Sequence, residues 1–247
     1  MPTTTAPDIH QTPHLEIIAH SLQGARNPRN EDHYLCLPAL GVFALADGMG
    51  GRGHGDVASQ LALNSLQMAL QALAKRPLQE SHLLAAIQVA NHRVYERSRQ
   101  DLQVRGMGTT LVVVWINGTQ LHCFHMGDSR VYRLRDFFLK QITTDHSAPL
   151  HMIEQGKAKP GAITRAIGVK ATIEVDILHE SWQPDDLLLM VTDGISDPVP
   201  NYQINNILVK PAKQCSDYVH ELLQASEQHG GNDDKTLILI RGLAPPH

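Results

Sequence analysis

Apolar and polar positions along this chain switch between a period of two and a period near 3.6. Residues 15–21 read as a short strand, and 41–46 form an uncharged apolar run of strand length that delivers Asp47 at its end. From 57 to 75, Ala58, Leu61, Ala62, Leu66, Ala69 and Leu73 recur at helical spacing, with Asp56 as the expected N-cap and Pro77 as the stop. Residues 81–99 repeat that pattern through Leu84, Ile87 and Val94, so an antiparallel helix pair on a sheet is predicted. Strand periodicity then returns. Residues 111–116 and 119–126 flank Asn117-Gly118, a dipeptide suited to a tight hairpin turn, and 131–134 and 137–142 extend it into a meander. If these strands alternate in direction, Thr109, Asp128 and Asp145 gather at one end of the sheet, opposite the Asn117-Gly118 turn.

A short helical piece near 149–155, strands at 173–178 and 187–192, a helix over 215–228 and a strand at 237–240 complete the pattern. About ten strands and four or five helices in segregated blocks predict an α+β fold with mainly antiparallel sheets. Residues 1–13 mix Pro, Thr and polar residues without periodicity and read as a loose tail, and the length does not force a second domain.

Composition changes little in this picture. The 247 residues are 42% hydrophobic with a net charge of -4, and Lys and Arg are dispersed, so no nucleic-acid partner is expected. Apolar runs fall far short of the ~20 residues of a membrane span, and residues 1–12 lack signal-peptide features, so a cytoplasmic protein is expected. Cys36, Cys123 and Cys215 are odd in number and widely spaced, which argues against disulfides and against a cysteine metal site.

Candidate chemistry lies where strands end. Asp47-Gly48, Gly127-Asp128 and Asp193-Gly194 each follow an apolar run, Asn30-Glu31-Asp32 stands near the start, and Asn232-Asp233-Asp234 precedes the final strand. Singly, each reads as an ordinary turn former. Gly48, Gly50 and Gly53 spell G-x-G-x-x-G, but no acidic residue follows between Val57 and Gln79, and Asp47 would repel a pyrophosphate. Should these strand ends meet, two carboxylates ~4 Å apart would repel by about 4 kcal/mol at an effective dielectric of 20.

Arg-x-x-x-Asn-Glu-Asp, Ala-Asp-Gly-Met-Gly-Gly, Gly-Thr-Thr, Gly-Asp-Ser-Arg-Val-Tyr, Thr-x-Asp-His-Ser, Thr-Arg-Ala-Ile-Gly, Thr-Asp-Gly and Gly-Gly-x-Asp occur here in one order. Together they resemble the bacterial form of the metal-dependent PPM, or type 2C, Ser/Thr protein phosphatases over about residues 14–241, the first motif being one residue longer than the family's spacing. The resemblance sets the domain at 14–241 and leaves 242–247 as a C-terminal tail. The resemblance implies a β-sandwich of two antiparallel sheets flanked by helix pairs, with two Mn2+ or Mg2+ ions at one end and a weaker third in bacterial members. It implies that Asp47 bridges both metals, the Gly48 carbonyl binds one, Asp193 and Asp233 bind the other, Glu31 and Asp32 are the acidic pair, and Asp128 helps hold the third ion. Attack on phosphorus then comes from a hydroxide shared by the metals, with phosphoproteins as substrates, a cognate Ser/Thr kinase as counterpart and a monomer as the expected state.

The chain departs from the family pattern in four places. Met49 stands where animal relatives carry a general-acid His, which leaves His54 as the candidate acid, and Asp234 replaces an Asn. The flap segment 147–163 reads as short. Counting five positions back from Asp32 gives Asn27 rather than Arg, so Arg26 is expected to clamp phosphate and Arg29 to be a solvated charge. Two other readings are a phosphoprotein-binding pseudophosphatase and a hydrolase of small phosphate esters.

Overall fold

Strands apolar on both faces need cover on both faces, and the architecture supplies it. A computed structural model describes residues 6–50, 54–73, 76–159, 161–210 and 214–244. The expected tail residues 1–5 and 245–247, the helix end at Lys75 and the fingerprint glycine Gly53 lie outside the described residues. One antiparallel sheet has the order β1 (Asp8–Gln11), β2 (Leu15–Leu22), β12 (Lys235–Gly242), β11 (Leu187–Val191), β8 (Arg130–Arg135), β9 (Phe138–Gln141). The other runs β10 (Asp176–Ser181), β7 (Gln120–Met126), β6 (Leu111–Asn117), β4 (Val42–Met49), β3 (Asp32–Leu37), with β5 (Gly108–Thr109) paired to the end of β4.

Alternation assigns each side chain to a layer. Ile17 and Ala19 of β2, Phe43 and Leu45 of β4, and Ile238 and Ile240 of β12 meet between the sheets. Their neighbours Ala44 and Ala46 face outward under helices α1 (Gly55–Gln71) and α2 (Glu80–Gln100), packing on Ala62, Leu66 and Ile87. On the opposite outer face, Ile18, Leu237 and Leu239 lie under α5 (Asn201–Leu208) and α6 (Cys215–Gln228). The result is the expected sandwich, four layers deep, with α3 (Leu150–Glu154) and the one-turn α4 (Asp193–Ser196) in its connections. Both Phe43 and Leu239 are wholly buried, so cutting either to Ala removes roughly 3–5 kcal/mol.

Several expectations are corrected. The hairpin does not extend into a meander: β6 and β7 stay in one sheet, and the chain crosses at Gly127-Asp128-Ser129 into the other, where β8 pairs with β11. Gly127, at φ +112°, makes that crossing possible. Residues 8–11, read as tail, pair with β2 as an edge strand. At the other end β12 reaches Gly242, and the Leu243 N–H donates to the His14 carbonyl at 2.8 Å. Asp56 does not cap α1; His54 holds the N-cap position and Asp56 lies in the first turn. Helices α4 and α5 were not foreseen, and β10 begins later than expected.

Candidate metal centre

The centre is assembled by backbone contacts that only glycine permits. A Cβ on Gly194 would meet the Asp234 carbonyl at 1.9 Å, and one on Gly24 would meet the Asp233 carbonyl at 2.3 Å. The loop before β3, the start of α4 and the turn before β12 are thereby pressed together. Gly48 and Gly55 are equally close: a Cβ on Gly55 would lie 2.3 Å from the Gly48 oxygen. The Asp47 peptide is pinned by three bonds. Its N–H donates to Thr110 Oγ1 (2.9 Å), and its carbonyl accepts from Thr109 Oγ1 and the Thr110 N–H (2.8 Å each).

Around this frame the acids converge. Asp32 and Asp47 are register partners on β3 and β4. Asp32 is buried and accepts from Thr192 Oγ1 at 2.8 Å, while Glu31 Oε1 accepts from the Gly55 N–H at 3.0 Å. Burial, and then the charges of Asp32, Asp193, Asp128 and Asp233, hold the Asp47 carboxyl well above the usual carboxylate range. Burial and Asp233 push Asp193 up to about 6, and burial and Asp193 push Asp128 up to about 7. Burial raises Glu31, opposed by its bond from Gly55, and burial also raises Asp32. Asp128 Oδ1 is buried without a hydrogen-bond partner.

Oxygen donors in excess, one of them orphaned, with Asp47, Asp193 and Asp128 raised by neighbouring acids as well as by burial, fit hard divalent cations such as Mn2+ or Mg2+. Sulfur chemistry does not compete. Cys36 and Cys215 thiols are pushed up to about 12 by burial, and Cys123 is raised by burial as well.

Arg26 stands at the rim with its side chain 70% exposed, its Nη1 donating to Asp233 Oδ2 at 2.5 Å and its backbone N–H to the Asn232 carbonyl at 3.0 Å. Arg29 instead pairs with Asp56 at 3.4 Å. Arg26, Asp193, Asp197 and Asp233 line a pocket of about 240 Å³. A second pocket of about 650 Å³, lined by Met49, Met126, Thr164, Arg165, Ile173 and Glu174, opens next to the end of β4. His54 holds the N-cap position of α1 and directly precedes Gly55, whose backbone packs on Gly48.

Two supports were missed in the sequence. Asp234 was read only as a replacement for Asn, yet its two oxygens accept from the Gly24 and Glu31 N–H groups at 2.8 Å each, which fixes the loop bearing Arg26 and the acidic pair. Arg130 forks onto Asp145 at 2.7–3.0 Å and donates to the Ser196 carbonyl at 3.1 Å, tying α4 to the segment after β9. The signal for Asp234 was present as two adjacent acids; only the fold reveals that they do different work.

A family model described as protein phosphatase 2C matches residues 25–237. The serine/threonine phosphatase stp of Listeria monocytogenes (serotype 4b, strain F2365) is 32% identical over 211 residues, spanning 81% of this chain and 83% of that protein. A crystal structure of the Mycobacterium tuberculosis serine/threonine phosphatase PstP/Ppp matches with a TM-score of 0.80 at 30% identity, over 94% of this chain and 100% of that one. The catalytic domain of PstP in complex with two manganese ions matches with a TM-score of 0.80 at 31% identity, over 94% and 99% of the two chains.

Proposed function

The chain belongs to the protein phosphatase 2C family and is a metal-dependent Ser/Thr protein phosphatase, and on that premise we propose which of its residues carry the reaction. Glu31, Asp32, Asp47, the Gly48 carbonyl, Asp193 and Asp233 hold two Mn2+ or Mg2+ ions, and Asp128 helps hold a third. The observation behind this reading is the convergence of acids from separate strand ends, close enough that neighbouring charges raise the carboxyls of Asp47, Asp193 and Asp128. When bound, such ions neutralise phosphate charge and lower the pKa of coordinated water toward neutrality.

The remaining work falls to the chain's own groups. Asp47 is the central carboxylate, since four other acids act on it, and its pinned peptide keeps it there. Arg26 offers a planar fork to two phosphate oxygens while its backbone stays tied to Asn232. His54 donates the proton that the departing seryl or threonyl oxygen requires. The 650 Å³ pocket beside Met49 receives residues flanking the phosphorylated one. The catalytic unit spans residues 8–243, since β1 and Leu243 join it. We extend the proposal to a cognate Ser/Thr kinase, a monomeric state and a cytoplasmic location; no helix among the described residues is long and apolar enough to cross a membrane.

Side-by-side turnover of phosphoserine and phosphothreonine peptides, p-nitrophenyl phosphate and small phosphometabolites tests the substrate class. Preference for peptides, with loss of turnover in EDTA, is expected. Binding of phosphopeptides without turnover would make the chain a pseudophosphatase, and preference for metabolites would make it a small-ester hydrolase. His54→Ala should slow phosphoserine release by about tenfold or more while sparing p-nitrophenyl phosphate, whose leaving group needs no proton. Equal loss on both substrates removes His54 from the acid role.

A further inference from the structure

Far from the acidic end, three side chains from three elements converge on one point. His122 of β7 and His179 of β10 are direct register partners, and Glu80 opens α2 above them. His122 Nδ1 lies 3.0 Å and His179 Nε2 2.6 Å from the same oxygen, Glu80 Oε2. The three donor atoms all fall within 4.8 Å of one another. The His122 ring is held against Trp115, centroids 4.7 Å apart, and meets His179 edge-on at 4.9 Å.

We propose that Glu80, His122 and His179 form a second metal site of a different class, one that takes Zn2+. Two imidazole nitrogens and a carboxylate oxygen make a three-ligand zinc set with a fourth position open to water. Tetrahedral zinc at ~2.0–2.1 Å from each ligand needs donors roughly 3.3–3.5 Å apart, so small side-chain shifts complete the geometry. Zinc is bound by His122 through Nδ1 and by His179 through Nε2, each as the neutral tautomer whose proton sits on the other ring nitrogen. Nitrogen donors select against Mg2+ and Mn2+, which prefer the oxygen-only centre.

A second cluster, His125, His146 and Asp176, is disqualified by its occupant. The Arg165 guanidinium already lies 2.6 Å from Asp176 and 3.4 Å from His146 Nε2, where a cation would sit. Among the described residues no ion pair brings Lys or Arg onto Glu80. Bound zinc would staple the first turn of α2 to the β7–β10 edge.

The test is metal counting by equilibrium dialysis against Zn2+, with excess Mn2+ present to occupy the carboxylate centre. The wild type should retain one zinc per chain more than the His122→Ala/His179→Ala double variant, with Mn-dependent turnover equal in both. Zinc should also raise Tm in the wild type alone. Glu80→Gln should weaken binding by at least the roughly tenfold that loss of a supporting partner costs a metal site. Equal zinc counts in wild type and double variant overturn the site and leave a surface ion pair. If the double variant lacks Mn-dependent turnover, His179→Ala, which removes a half-exposed ring, gives the same comparison. Because zinc is counted directly, the outcome does not depend on the assignment of the phosphatase residues.

Discussion

Glu80 and Asp128 are carboxylates near opposite ends of strand β7, and they titrate in opposite directions. Glu80 accepts hydrogen bonds from two imidazoles, and the His179 bond holds its carboxyl below the usual range. Asp128, just past the other end, has a buried oxygen with no partner and other acids for company, and its carboxyl is pushed up to about 7. The spacing of His122 and Asp128 along the chain puts these ends roughly 20 Å apart. A carboxylate with donors around it is stable with or without a cation. One surrounded by its own kind marks a place where the fold has left positive charge to be supplied.

The largest effect that could break this contrast is removal of a central acid. Asp47→Asn and Asp193→Asn should each lower kcat by at least about 10²-fold, the scale of losing one transition-state electrostatic contact. Neither should lower the metal-free Tm, because each relieves repulsion. A drop in Tm would mean that the acids are held by unseen partners rather than by cations. EDTA should abolish turnover, and Mn2+ or Mg2+ should restore it. At a hundredfold excess over Kd the ions add about 2.7 kcal/mol, or roughly 5–10 °C of Tm in a chain this size. An unchanged Tm would count against a metal centre.

Smaller effects sharpen the picture. Arg26→Ala should lower kcat/KM by roughly tenfold, about 1.4 kcal/mol, and Arg29→Ala should leave it within about twofold. The reverse order would move the clamp to Arg29. The least effect is one of pH on metal-free protein. Asp193 and Asp128 are raised to about 6 and about 7, so the folded state holds protons that the unfolded chain has already released. Their contribution to stability is complete below pH ~4 and is lost as pH climbs through those values. The Tm of metal-free wild type, relative to Asp128→Asn, should therefore fall between pH 5 and 8, and saturating Mn2+ should flatten the slope. A relative rise would show that Asp128 has found a donor.

Legibility in the sequence followed the source of each element's stability. The β6–β7 hairpin and α6 carry their own signals, a glycine turn and an apolar stripe, and were readable, although the loop is Gly118-Thr119, one step past the expected Asn117-Gly118. β1 was not, because the exposed Asp8 to Gln11 segment is held to β2 by main-chain pairing rather than by a buried face. α5 is short, and its polar Asn and Gln residues mask the stripe of Ile204, Ile207 and Leu208. Nothing local declares that the chain changes sheets at Gly127, since hairpin continuation has the same alternation. The strand-end acids were legible because carboxylate-glycine junctions stand out. The second role of Asp234, as acceptor for Gly24 and Glu31, was hidden because its partners lie more than 200 residues away.

The place of β12 bears on how the protein is made. It is the interior strand between β2 and β11, yet it comes last among the described strands, and the turn leading into it carries Asp233 and Asp234. During synthesis β2 emerges early and must wait for a partner more than 200 residues downstream, at a pace of about 5–20 residues per second. Until residues 235–242 clear the ribosome, one sheet stays split and its apolar strands are a burden for chaperones. The same wait delays the site: until the turn carrying Asp233 and Asp234 is made, the Gly24 and Glu31 N–H groups lack the acceptor that fixes their loop.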